Sequence, residues 1–311
     1  MADYSTSAFE IGAARRPSLL ATLGSAAPDF WTLTKPEVNF LIVIATFTGF
    51  YLGCPGDLHH PFPFMRLLSA LLGTLLVASG TGALNQYLEY RFDARMRRTC
   101  RRPVAAGRLR PATACWFGIS LSTIGAAYLL VTVNVLTSAL AVITLVSYLL
   151  VYTPLKRKTP LCTLAGAFPG AMPPLIGWAA ASASITSGKA WILYAVLFLW
   201  QFPHFMAIAW MYREDYARAD YSIFPKESQS RFLAWQTLGP SFLLILASLA
   251  AVAANSGGIL HYAGTVILGS GVLYYATRQS FLQSGIAARQ LLKASIVYLP
   301  LEFLILVLAK P

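Results

Sequence analysis

The chain has 311 residues, of which 57% are hydrophobic and only 12% charged, with a mean hydropathy of +0.60 and a formal net charge of +12. So large an apolar excess lies outside the range of water-soluble domains, and the composition is that of a membrane protein. Four scattered cysteines, Cys54, Cys100, Cys115 and Cys162, share no CxxC spacing and exclude both a disulfide framework and a zinc site.

Nine apolar runs are long enough to cross a hydrocarbon core of about 30 Å at about 1.5 Å per residue. They lie near 38–54, 66–88, 112–132, 134–152, 161–181, 190–210, 232–254, 257–277 and 294–310. None alternates as barrel strands do, and backbone polar groups cannot stay unpaired in lipid, so the runs are read as helices. The predicted fold is an all-α integral membrane bundle of nine transmembrane helices. A tail, 1–30, precedes a single membrane domain, 31–311. The tail carries Asp3, Glu10 and Asp29 and has no continuous apolar core. It therefore reads neither as a cleavable signal peptide nor as a mitochondrial transit peptide. The expected location is a bacterial cytoplasmic (inner) membrane rather than a mitochondrial inner membrane.

Orientation follows from the lysines and arginines. Three precede helix 1 (Arg15, Arg16, Lys35), eight arginines fill the 2/3 loop, three cations lie in the 4/5 loop, four in the 6/7 loop and three in the 8/9 loop. Only Arg66, Lys189 and Lys310 fall on the opposite side. Retention of cations on the cytoplasmic side predicts a cytoplasmic N-terminus and an external C-terminus. It also makes the positive charge an orientation signal, so no nucleic-acid partner is expected. The external loop CPGDLHHPFPF holds His59 and His60 and is read as solvated.

The segment NQYLEYRFDARMRRTCRRP, residues 85–103, continues the second apolar run toward the cytosol. If the helix extends through it, Asn85, Glu89 and Asp93 share one face, about 6 Å apart along the axis. An amide oxygen and two carboxylates so stacked are hard-oxygen donors of the kind that suits Mg²⁺ together with water and phosphate oxygens. The neighbouring arginines, Arg98 and Arg102 among them, offer forked donors that match phosphate. The competing reading is a solvated helix end laced with ion pairs. A second acid-rich segment, WMYREDYARADYSIFP, follows the sixth run as the first follows the second. Five of the twelve acids of the chain, Glu89, Asp93, Glu214, Asp215 and Asp220, lie in these two segments. Two such clusters facing each other would suit a metal-bridged diphosphate.

With these residues the sequence resembles the UbiA superfamily of intramembrane prenyltransferases and, within it, the haem O synthases (protohaem IX farnesyltransferases). NQYLEYRFDARMRRTCRRP is similar to that family's N-x-x-x-[DE]-x-x-x-D-x-x-M-x-R-T-x-x-R-P signature. LTKPEV, YTPLKRKTP, GAMPPLIGW, WQFPHF and REDY are similar to its further motifs, over roughly residues 31–230. The second acid motif departs from two aspartates spaced four apart, offering Tyr212 ahead of Glu214 and Asp215.

The resemblance implies a UbiA-type bundle with a cavity facing the cytoplasm. It implies transfer of the farnesyl group of farnesyl diphosphate to the 2-vinyl group of haem B, with water added, giving haem O. It also implies Mg²⁺ on Asn85, Glu89, Asp93 and Asp215, and substrate contacts from Lys35, Arg98, Arg102, Tyr152, Lys156, Arg157 and His204. Haem B would be a substrate rather than a resident cofactor. The lipid bilayer, and possible hand-over to a haem A synthase or terminal oxidase assembly, complete the implied partners. Tyr87, Tyr152 and Phe202 are candidate shelters for an allylic cation, and Gly170, Pro173, Pro174 and Gly177 mark a helix break where a ligand or a neighbouring backbone approaches. Two other readings stay open. One is a related enzyme prenylating an aromatic quinone precursor; the other is a transporter, which would need several ionisable midplane residues where only His204 and Glu302 occur.

Overall fold

A computed structural model of the chain describes residues 27–55, 62–225 and 229–310. Most of the 1–30 tail, the His59 and His60 loop and Lys226 lie outside them. The described residues are helical, with no strands. The membrane helices are α1 (Pro36–Gly53), α2 (Phe64–Asp93), α3 (Pro111–Thr132), α4 (Val135–Val146), α5 (Cys162–Gly170), α6 (Met172–Ser182) and α7 (Gly188–Met211). After a short helix α8 (Arg213–Arg218) come α9 (Gln229–Ala254), α10 (Ile259–Leu282) and α11 (Gly285–Ala309).

Eight helices are long and apolar enough to cross a membrane, α4 qualifying through its continuation to Leu155. The fifth predicted span is divided at Ala171 into α5 and α6. Pro173 and Pro174 sit in the first turn of α6, where their missing N–H groups interrupt the ladder. Gly177 serves a close backbone approach: a Cβ on it would overlap the Thr46 carbonyl, and one on Gly49 would overlap the Pro174 carbonyl. Helices α1 and α6 therefore touch backbone to backbone, the small-residue packing that membrane helices use in place of a hydrophobic drive. At Gly170 the close neighbour is the Gln201 side chain, whose Nε2 donates to the Ala167 carbonyl over 3.0 Å.

The other main pairings are α2 with α3, α7 with α9 and α11, α9 with α10, and α10 with α11; α11 also packs on α1. Interhelical polar contacts join Asn39 Nδ2 to Ser79 Oγ over 2.8 Å and Ser248 to Tyr298 over 2.6 Å. What positions the charged residues is the length of α2. Its 30 residues span about 45 Å at 1.5 Å each, well beyond a core of about 30 Å, so the final turns with Glu89 and Asp93 project past the apolar layer. Turns over 94–107 then stop the helix, and Thr99 Oγ1 caps it by donating to the Asp93 carbonyl over 2.9 Å.

Candidate active site

The acid-bearing face of α2 reads as its four-residue spacing demands. Asn85 Nδ2 donates to Glu89 Oε2 over 2.8 Å, and Asn85 Oδ1 accepts from Lys35 Nζ over 2.7 Å. Lys35 sits just before α1 with φ +53°, a left-handed conformation for a non-glycine residue. Such strain persists only where its surroundings fix it. Here Gln86 Nε2 donates to the Thr32 carbonyl and Asn39 Nδ2 to the Thr34 carbonyl, holding the bend on both sides. Burial and the charges of Arg102 and Lys156 push the Lys35 ammonium down to about 7, against the pull of Glu89 and Asp93.

Glu89 is buried and takes Lys156 Nζ on both oxygens, at 2.9 and 3.1 Å. Lys156 lies 4.5 Å from the centre of the Tyr152 ring. Burial would lower its affinity for the proton, but Glu89 and the nearby tyrosines outweigh that and raise it well above the ordinary lysine range. Tyr152 ends a π-helical stretch, Ser147–Tyr152, that follows α4, a distortion found most often at functional sites. Asp93 takes Arg102 Nη1 on both oxygens, at 3.0 and 2.8 Å, with its own side chain 2% exposed.

The two acid-rich segments meet. Asp215 on α8 accepts from the backbone N–H of Arg98 over 3.0 Å and from Arg218. Its burial is outweighed by those two donors, which hold its carboxyl below the usual range. The Arg98 guanidinium reaches the Tyr216 hydroxyl at 3.2 Å and lies 5.0 Å from the Tyr212 ring centre. Arg95 pairs with Asp220 at 2.8 Å on the exposed rim. The 4/5 loop joins the same assembly: Ser222 N–H donates to the Lys156 carbonyl over 2.8 Å, and Arg157 lies 4.8 Å from the Phe92 ring centre. Of the three acids in the second segment, only Asp215 is buried.

The expected residues thus divide into two groups. Lys35, Asn85, Glu89, Asp93, Arg102, Tyr152 and Lys156 form one connected array, and Arg98 with Asp215 flanks it. An open cleft of about 380 Å³ lies on the Asp215 side, walled by Arg97, Arg98, Tyr212, Glu214, Asp215 and Arg218. Glu89 and Asp93 are not among its walls, being covered by Lys156 and Arg102. Arg157 rests on Phe92, at the margin. His204 lies elsewhere on α7, its Nδ1 2.9 Å from Ser295 Oγ of α11. Of the candidate aromatics, Tyr152 joins the charged array, Tyr87 packs with Leu33 and Val104, and Phe202 is buried against Phe198.

An apolar helical bundle with paired acids and cations gathered beyond one end is thus the setting in which known proteins can be compared. A profile of the UbiA prenyltransferase family matches residues 42–297. The chain belongs to the UbiA prenyltransferase family. A protoheme IX farnesyltransferase of Solibacter usitatus is 42% identical over 289 residues, covering 91% of this chain and 99% of that protein. Among solved structures, a digeranylgeranylglyceryl phosphate synthase superposes with a TM-score of 0.72 at 14% identity, over 92% of this chain and 98% of the other. A UbiA homologue from Archaeoglobus fulgidus bound to GPP and Mg²⁺ gives 0.58 at 11% identity, over 89% and 99%. The chain is therefore a multi-pass membrane protein with the UbiA fold, and a prenyltransferase.

For a UbiA enzyme the donor set can be tested against magnesium. Asn85, Glu89, Asp93 and Asp215 offer only oxygen ligands, the chemistry Mg²⁺ selects. Among the described residues no three acids, histidines or cysteines are grouped closely enough to hold a metal by themselves. That fits an ion that keeps waters and needs one or two carboxylates plus phosphate oxygens rather than a protein cage. In this array Lys156, Arg102 and Arg218 neutralise the acids. Sequence reasoning passed over Tyr221, which stacks on Phe92 at 5.9 Å and whose hydroxyl is sealed without a hydrogen-bond partner. It is near enough to Glu89 for that charge, after burial, to push the phenol well above its usual range. The only signal for it was its place inside the second acid-rich segment.

Proposed function

We propose that this chain is a haem O synthase, transferring the farnesyl group of farnesyl diphosphate to the 2-vinyl group of haem B. The observation that carries the reading is the junction of the two acid-rich segments through Arg98 and Asp215, in a chain so similar to a protoheme IX farnesyltransferase over nearly its whole length. In this reading the membrane domain runs over 31–311 in a bacterial cytoplasmic membrane, with the N-terminus and the active site facing the cytosol. Its product passes to enzymes that oxidise haem O further or insert it into a terminal oxidase.

Mechanistically, Lys35, Arg98, Arg102, Lys156 and Arg157 receive the diphosphate. When the allylic C–O bond breaks, its electron pair leaves with the diphosphate, and fixed cations placed where that charge grows lower the barrier. Mg²⁺, held by Asn85, Glu89, Asp93 and Asp215, would add Lewis-acid neutralisation of the same charge. The farnesyl cation is left against the apolar bundle, where Tyr152 offers a π face and water is excluded until the C–C bond forms. The vinyl π pair makes that bond, and the new carbocation beside the macrocycle is quenched by water, which then loses a proton. His204 belongs to the acceptor side.

Arg102 gives a compact test of the diphosphate role. A single nitrogen, Nη1, makes both contacts to Asp93, so Arg102→Lys keeps an ion pair while losing the rest of the planar fork. Thermal stability is expected to stay near wild type and farnesyl transfer to fall at least about tenfold; wild-type kinetics would remove Arg102 from the diphosphate site. The function as a whole is tested by expressing the chain in bacterial cells that make haem B and farnesyl diphosphate but no haem O. Extracted haems should then contain a hydroxyethylfarnesyl derivative by mass, and its absence from cells with well-folded protein would refute the assignment.

A further inference from the structure

We propose that His204 Nε2 is the protein ligand to the iron of the macrocyclic acceptor, and that Ser295 is a positioning residue that fixes the ring for that task. The inference rests on the haem reading above and adds to it a specific atom and a role for the C-terminal helix α11.

The hydrogen bonds around Ser295 decide which imidazole nitrogen is available. Its hydroxyl has one proton, and Oγ donates it to the Leu292 carbonyl over 2.8 Å. At the 2.9 Å contact with His204 Nδ1 the hydroxyl can therefore only accept, so Nδ1 carries the hydrogen. In the neutral ring the lone pair is then on Nε2. Among the described residues no group hydrogen-bonds to Nε2, and it is not one of the sealed, unpartnered atoms. The residue is half-buried, so the ring edge is reachable from outside the helix packing.

The ring is also held against rotation. Trp200, one turn earlier on α7, stacks on it with centroids 4.4 Å apart and 22° between planes. Trp200 is itself anchored, since its Nε1 donates to the Ser295 carbonyl over 2.7 Å. Stacking covers the ring face and leaves the in-plane Nε2 lone pair unobstructed. A histidine with one nitrogen donating to an oxygen acceptor, a locked plane and the other nitrogen open is the arrangement by which proteins present imidazole to metals. A histidine serving only as glue between helices would use its polar atoms within the bundle, and this one leaves Nε2 unused in an apolar membrane helix. Haem B supplies an iron with axial positions to fill and a flat apolar body suited to this aromatic stretch. Coordination forms one Fe–N bond by donation of the Nε2 pair and requires no redox change.

The test uses the full chain in lipid nanodiscs, titrated with ferric haem B and, separately, with iron-free protoporphyrin IX. Wild type should bind both macrocycles and give haem a histidine-ligated absorption and electron paramagnetic resonance spectrum. His204→Ala should lose that spectrum and bind haem at least about tenfold more weakly, while binding protoporphyrin IX within about twofold of wild type. Ser295→Ala should weaken haem binding, toward the roughly tenfold loss common for partners of metal-bound histidines, with Ser295→Thr restoring it. Thermal melting of each variant, and His204→Gln as a near-isosteric control, separate coordination from misfolding. Equal weakening of both macrocycles, or an unchanged haem spectrum in His204→Ala, would overturn iron ligation and leave the acceptor assignment standing. A wild-type protein that binds neither macrocycle would overturn the acceptor assignment itself, and this inference with it.

Discussion

Asp93→Asn is expected to lower farnesyl transfer by at least about a hundredfold to a thousandfold, the range seen when one preorganised electrostatic group is removed from an active site. Asp93 is a buried carboxylate at the end of α2, with Arg102 Nη1 on both oxygens. The amide keeps the shape and one acceptor oxygen but loses the charge that would hold Mg²⁺ and keep Arg102 in place. Folding should survive, because the Arg102 side chain is 25% exposed and can turn to water once unpaired. Farnesyl diphosphate affinity should change less than turnover, since Arg102 and Lys156 still face the diphosphate. Steady-state kinetics at varied Mg²⁺, beside a thermal melt, check this. Full activity in well-folded Asp93→Asn would end the proposed metal role of the α2 acids.

The second large effect is at Lys156, where stability and catalysis can be separated. Its side chain is 12% exposed and that of Glu89 7%, with Nζ 2.9 Å from the carboxylate. Replacing one partner of such a buried pair leaves an uncompensated charge, which costs about 3–5 kcal/mol. Lys156→Met should therefore be strongly destabilised and inactive. Adding Glu89→Gln removes the orphaned charge, and the double variant should recover most of the lost stability while staying inactive, because both proposed diphosphate and metal contacts are gone. Denaturation of the two variants in the same detergent, with transfer assays, checks both halves. Recovery of activity along with stability would mean that the pair only holds α2 to the 4/5 loop.

Much of this architecture could be read from the chain because lipid imposes strict rules. Helix spans followed from apolar runs, and Asn85, Glu89 and Asp93 align because four residues nearly complete a helical turn. The division of the fifth span at Ala171 was signalled only as a disruption by Pro173 and Pro174, since proline tells where a ladder is broken and not whether the helix resumes. At Gly177 the sequence left a ligand or a neighbouring backbone open, and the structure places the Thr46 carbonyl there. The acids looked free for metal in the sequence. Their pairing with Lys156, Arg102 and Arg218 depends on which loops fold over the end of α2, a long-range property with no local pattern. Tyr221 and Ser295 were missed for the same reason. An aromatic beside acids and a serine in an apolar helix are common, and only the unpartnered hydroxyl of one and the His204 contact of the other set them apart.

The central claim is that this UbiA enzyme joins a farnesyl group to haem rather than to a quinone precursor, and direct competition between acceptors tests it. Purified chain in nanodiscs would receive farnesyl diphosphate, Mg²⁺ and equal concentrations of haem B and 4-hydroxybenzoate, with products identified by mass spectrometry. The account predicts a farnesylated, hydrated haem as the dominant product, dependent on Mg²⁺. Dominant farnesylation of 4-hydroxybenzoate, or haem recovered unchanged by folded protein, would contradict it.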